Sequence, residues 1–107
     1  MKDRRSRQQP LGVDQLRQLL ASPHSRDRRR AAKLLRADPL PEIEHDLIAA
    51  FRAEVTDRRT WETQYNMAMA LGAAPKSARA RDALNECLAE DLEFMVVLAI
   101  GDALVRQ

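Results

Sequence analysis

From residue 11 onward, apolar residues return at helical spacing in six successive blocks. Val13, Leu16, Leu19 and Leu20 keep the i, i+3, i+6/i+7 pattern of a short amphipathic helix, which Ser22-Pro23 ends. A second helix is predicted over about Ser25 to Ala37, with Ala31, Ala32, Leu34 and Leu35 on one side and Arg26, Arg29, Arg30, Lys33 and Arg36 on the other. Asp38-Pro39-Leu40-Pro41 stops it and starts a third, because proline suits the first turn of a helix but not its interior. There, Ile43, Leu47, Ile48, Phe51 and Val55 form an unbroken helical stripe. A fourth helix follows Thr60 as N-cap and runs through WETQYNMAMALG to Gly72 and Pro75. The fifth, about Ser77 to Ala89, is expected to bury Ala80, Ala83, Leu84, Cys87 and Leu88. The sixth, about Leu92 to Arg106, is apolar nearly all round over its first two turns.

Six helices with short connections pair as 1-2, 3-4 and 5-6, and the second members share a weak internal repeat. Setting Leu35 over Leu71 over Ile100 brings LLRADP, ALGAAP and AIGDAL into register. Ala32, Ala68 and Val97 then share a column, Gly72 falls on Gly101, and Tyr65 falls on Phe94. MAMALGAAP after TWETQYN resembles the second helix of a HEAT repeat, with a fainter echo at Val96 to Leu104 and another at Ala31 to Pro39. The resemblance implies an all-α domain over residues 11–107, with three antiparallel helix pairs in a right-handed stack. An irregular helical bundle is the alternative architecture. Residues 1–10 lack apolar periodicity and read as a disordered basic arm.

Composition narrows the function classes. Eight Val and Ile residues scattered through a chain with three Gly do not make a sheet. The net charge of +2 conceals a strong segregation: residues 1–37 hold 11 Lys and Arg against 3 acidic residues, whereas residues 38–57 hold 1 against 6. A basic leading third can steer toward nucleic acid, an anionic membrane or an acidic protein face. The basic start lacks an apolar stretch behind it, and no segment reaches the roughly 18 to 20 apolar residues of a membrane span. A lone Cys87 excludes an internal disulfide framework, so a cytoplasmic address without membrane association is expected.

Catalytic chemistry finds no foothold. Glu42 and His45 form one E-x-x-H pair, but a di-iron bundle site needs a second pair and two further inward carboxylates. His24 has no local nucleophile, Cys87 keeps core spacing, and no glycine-rich phosphate loop, nucleophile elbow or CxxC is present. The chain is therefore expected to be non-catalytic, with no cofactor and no metal.

In a HEAT-like stack the second helix of each pair lines the concave surface. The register assigns Arg29, Arg30 and Lys33, then Tyr65, Asn66 and Met69, then Phe94, Met95 and Leu98 to that surface. A groove graded from cationic to apolar suits an amphipathic protein segment with an acidic end, which makes a protein-protein interaction module of adaptor, regulator or inhibitor type the leading expectation. Nucleic acid is the second: alkylpurine DNA glycosylases set HEAT-like helices and basic side chains on DNA. The acidic third helix would oppose phosphate if it shared that face. The apolar sixth helix also implies a homodimer through the C-terminal helix.

Overall fold

The computed structural model describes residues 11–107, so the expected basic arm at 1–10 lies outside the described residues. Among the described residues there are six α-helices and no strand: α1 (Val13–Leu20), α2 (Ser25–Ala37), α3 (Glu44–Glu54), α4 (Trp61–Ala73), α5 (Ala78–Cys87) and α6 (Phe94–Arg106). Each helix predicted from apolar spacing is present. Pro41 does not enter α3 directly: Pro41–Ile43 forms a 3-10 turn from which the α-helix continues. Thr60 is the N-cap residue of α4, although its side chain makes no capping hydrogen bond there. Arg58–Thr60 is a second 3-10 turn, whose N-cap is Asp57, and Thr60 Oγ1 donates to the Asp57 carbonyl at 3.1 Å. Ser77 does cap α5, its hydroxyl accepting from Ala80 N at 3.2 Å.

The central element is α4, which packs chiefly against α2 on one side and α6 on the other. The remaining helices form a second series, in which α1 touches α2 and α3, α3 touches α4 and α5, and α5 touches α6. The described chain measures 47 × 29 × 21 Å along its principal axes. The core runs through this arrangement without a break. The α3 stripe of Ile43, Leu47, Ile48, Phe51 and Val55 is buried, and so are Leu71, Leu84 and Ile100. Leu88 differs from expectation at 42% exposed, because α5 ends at Cys87 and the next residue no longer follows the helix's buried face.

Small residues set how closely the central helices approach. Ala32, Ala68 and Val96 are fully buried, and a Cβ built on Gly72 would stand 2.8 Å from Ala103 Cα. Ala68 has no exposed surface in which added methylenes could settle. Ala68→Leu should therefore destabilise the fold by about 1 to 3 kcal/mol, read from urea unfolding; unchanged stability would require that α4 has room to shift from its neighbours.

Polar side chains close the helix ends and fasten the two series together. Gln64, fully buried in α4, donates its amide to the carbonyls of Glu54 at 3.1 Å and Asp57 at 2.8 Å, where α3 ends. Arg28 of α2 grips Glu54 of α3 through two hydrogen bonds of 2.6 and 3.0 Å, and its third contact is with the Ser22 carbonyl at 2.8 Å. At the far end, the Gln107 amide donates to the carbonyls of Leu71 and Ala74 while its Oε1 accepts from Ser77 N. Burial pushes the Cys87 thiol up to about 11, so it stays protonated at neutral pH and behaves as a core residue.

Candidate functional site

Along α2, Arg29, Lys33 and Arg36 fall at i, i+4 and i+7 and so share one face of the helix. On α4, Trp61 and Tyr65 are one turn apart, and both are half-buried. Between these two helices and the start of α6 lies an open groove of about 500 Å³. Arg29, Lys33 and Arg36 form its cationic wall, Trp61, Tyr65 and Asn66 its floor, and Met95 its apolar edge, with Glu62 at the rim.

The groove is organised by contacts between its own members. The Arg36 guanidinium carbon sits 5.5 Å from the centroid of the Tyr65 ring, within cation–π range. The same guanidinium donates to Asn66 Oδ1 at 3.3 Å, and Asn66 Nδ2 donates to the Glu62 carbonyl at 2.9 Å. Arg29 reaches Glu62 at 3.7 Å, the one acidic side chain lining the groove among the described residues. Three cations thus face one carboxylate. Like charges spaced i and i+4 on a helix cost a few tenths of a kcal/mol each in stability.

The acidic third helix is turned to other work. Glu54 is taken up by Arg28, Asp46 pairs with Arg17 of α1 at 2.9 Å, and none of the α3 carboxylates lines the groove. The Asp46 contact holds the Arg17 guanidinium above its usual range, and the hydrogen bond to Glu54 does the same for Arg28. Glu54 and Asp46 are thus paired outside the groove, with α2 and α1 respectively.

Of the nine residues assigned to the concave surface by the repeat register, Arg29, Lys33, Tyr65, Asn66 and Met95 come together here. Arg30 does not line this groove; it borders a shallow depression with Arg26, Arg29, Lys33 and Leu34. Met69 is half-buried against the core, and Phe94 and Leu98 stand exposed on α6 at 67% and 50%. Arg36, Trp61 and Glu62 are members that the register did not supply. The available signal for Arg36 was its i+7 position from Arg29, masked because the repeat alignment set it in the glycine column with Gly72 and Gly101.

A separate apolar cleft of about 220 Å³ lies between the end of α2, the start of α3 and the end of α4, lined by Leu35, Leu40, Leu47 and Leu71 with Lys76 and Ser77 beside it. Glu44 also lines it. Among the described residues no group of three or more His, Cys, Asp or Glu side chains could hold a metal ion, and no helix is long and apolar enough to cross a membrane. Compared with family models, curated proteins and solved structures, the chain matches none.

Proposed function

We propose that this chain is a non-catalytic, cytoplasmic protein-interaction module whose helices form a HEAT-like stack of three pairs and whose α2–α4–α6 groove holds a segment of a protein partner. The serial contacts of α2, α4 and α6 beside those of α1, α3 and α5 support the two-layer stack. The observation that carries the function is the groove itself: three cations on one wall, two aromatic rings on the floor and a methionine at the edge. Cations retained on one helix face at some cost in stability are accounted for by an anionic ligand. A complementary segment places an acidic side chain against Arg29, Lys33 and Arg36 and an apolar one against Met95, with the rings as its anchor.

A second reading is nucleic acid, favoured by one observation. The α3 carboxylates stay out of the groove, so among the described residues a phosphate there meets only the carboxylate of Glu62, and the aromatic floor offers a base a stacking surface. Against it, the apolar edge at Met95 gives a phosphate backbone nothing to contact.

Fluorescence anisotropy separates the two. Labelled amphipathic peptides with an acidic end should bind, and the triple variant Arg29→Ala, Lys33→Ala, Arg36→Ala should lose at least tenfold in affinity with its helical circular dichroism unchanged. Single- and double-stranded oligonucleotides should bind weakly at physiological salt. Tight oligonucleotide binding, with a steep salt slope that the triple variant flattens, would overturn the protein reading in favour of the second.

A further inference from the structure

Arg29 and Arg36 stand seven residues apart on α2, about 10.5 Å along the helix axis, yet both side chains end on a single turn of α4. Arg29 reaches Glu62 at 3.7 Å, whereas Arg36 lies 5.5 Å over the Tyr65 ring and donates to Asn66 Oδ1 at 3.3 Å. Glu62, Tyr65 and Asn66 are at i, i+3 and i+4, and the Asn66 amide donates back to the Glu62 carbonyl at 2.9 Å. The two guanidinium groups therefore converge across the groove. Lys33 lies between them on the same wall, exposed and paired with no carboxylate among the described residues. Three cations against the one carboxylate of Glu62 leave an excess of two positive charges. Glu62 does little to offset it: its side chain is 62% exposed and its contact with Arg29 is longer than a hydrogen bond. The partners of Arg36 are neutral.

We infer, resting on the reading that the groove holds a protein segment, that the anionic side chain it selects is a phosphorylated one. A carboxylate brings one charge and two oxygens, and so neutralises half of the excess. A phosphomonoester brings a charge of about −1.5 to −2 at neutral pH and three acceptor oxygens, one for each cation. Guanidinium groups match phosphate oxygens in a bidentate fork, which an ammonium cannot do. Arg36 is already held in place by the Tyr65 ring and Asn66, so it loses little freedom when the anion arrives. The phosphodiester links of a nucleic acid carry a single charge each and share the shortfall of the carboxylate. Met95 remains for an apolar residue of the same segment.

Labelled peptide pools, random at the flanking positions and carrying serine, tyrosine, glutamate, phosphoserine or phosphotyrosine at one fixed position, test this on the full chain by fluorescence anisotropy. A phosphorylated pool should bind about tenfold or more tighter than the glutamate pool, with the serine and tyrosine pools weakest. Lys33→Ala, which removes an excess charge and leaves both arginines in place, should bring the ratio of phosphorylated to glutamate affinity down to about threefold or less. Arg36→Lys, which keeps the charge and discards the fork, should lower the same ratio with helical dichroism unchanged. A structural defect would weaken all pools alike and leave the ratio where it was. Equal binding of glutamate and phosphorylated pools would overturn the inference while the peptide groove stands. A phosphorylated preference indifferent to both Lys33→Ala and Arg36→Lys would overturn it too, because the phosphate would then be read elsewhere. Binding of no pool would remove the groove reading and the inference together. Displacement of the bound phosphopeptide by oligonucleotide as readily as by unlabelled phosphopeptide would assign the cations to nucleic acid and overturn both.

Discussion

Replacing Arg28 with alanine should cost about 3 to 5 kcal/mol of folding stability. The Glu54 side chain it holds is only 3% exposed and Arg28 itself 20%, so the variant leaves a carboxylate buried without its cation. The pair also joins α2 to the end of α3, where the Gln64 amide already occupies the Glu54 backbone carbonyl. For a domain of this size the loss is a large share of a net stability of about 5 to 15 kcal/mol. Urea unfolding at low temperature should therefore place the variant near the start of its transition. Arg28→Met combined with Glu54→Leu should recover most of the loss, because the cost arises from the unpaired charge and not from the missing attraction. If Arg28→Ala costs less than about 1 kcal/mol, the value of an exposed pair, Glu54 must reach water when its partner is gone.

The second large effect is expected at Gly72. Its neighbours across the α4–α6 contact are Ala103 Cα at 2.8 Å and Ala103 Cβ at 2.9 Å from an added Cβ, and a backbone atom cannot swing aside as a long side chain can. Gly72→Leu should cost about 3 kcal/mol, at the top of the range for overpacked cores. Gly101→Ala supplies the internal contrast. Its Cβ meets nothing, so it should stabilise the fold by about 1 kcal/mol through helix propensity. Equal effects at the two sites, measured by thermal unfolding, would mean that α4 and α6 are less closely packed than this geometry requires.

These two sites also show what can be read along the chain and what cannot. The stripe Ile43, Leu47, Ile48, Phe51 and Val55 repeats with the period of a helix and is buried throughout, so α3 follows from local pattern alone. All six helices could be placed in this way. Glu54 lies on that same helix and is buried as well, yet no local rule buries a carboxylate, and the Arg28 that makes it tolerable lies 26 residues earlier. Gly72 and Gly101 occupy one column of the repeat with opposite surroundings, because a column records the residue and not the neighbour. Of the groove, Arg29, Lys33, Tyr65, Asn66 and Met95 follow from helix register. Arg36 shares their face by its i+7 spacing from Arg29 but stands in the repeat's glycine column, and Trp61 and Glu62 lie outside the register, Glu62 being engaged by Arg29 from another helix.

Gln107 makes the last turn of α6 something other than a loose end. One side chain spans the carbonyls that finish α4 and the amide that begins α5, and its own backbone oxygen accepts from Arg81 at 3.1 Å. Final helical turns ordinarily open and close many times for each global unfolding event, and their amides exchange with solvent accordingly. Here that opening must break the joint between α4 and α5 at the same moment. The terminal turn of α6 is thereby enlisted in the same cooperative unit as the central helix, and the protection of its amides becomes a measure of whether α4, α5 and α6 unfold as one.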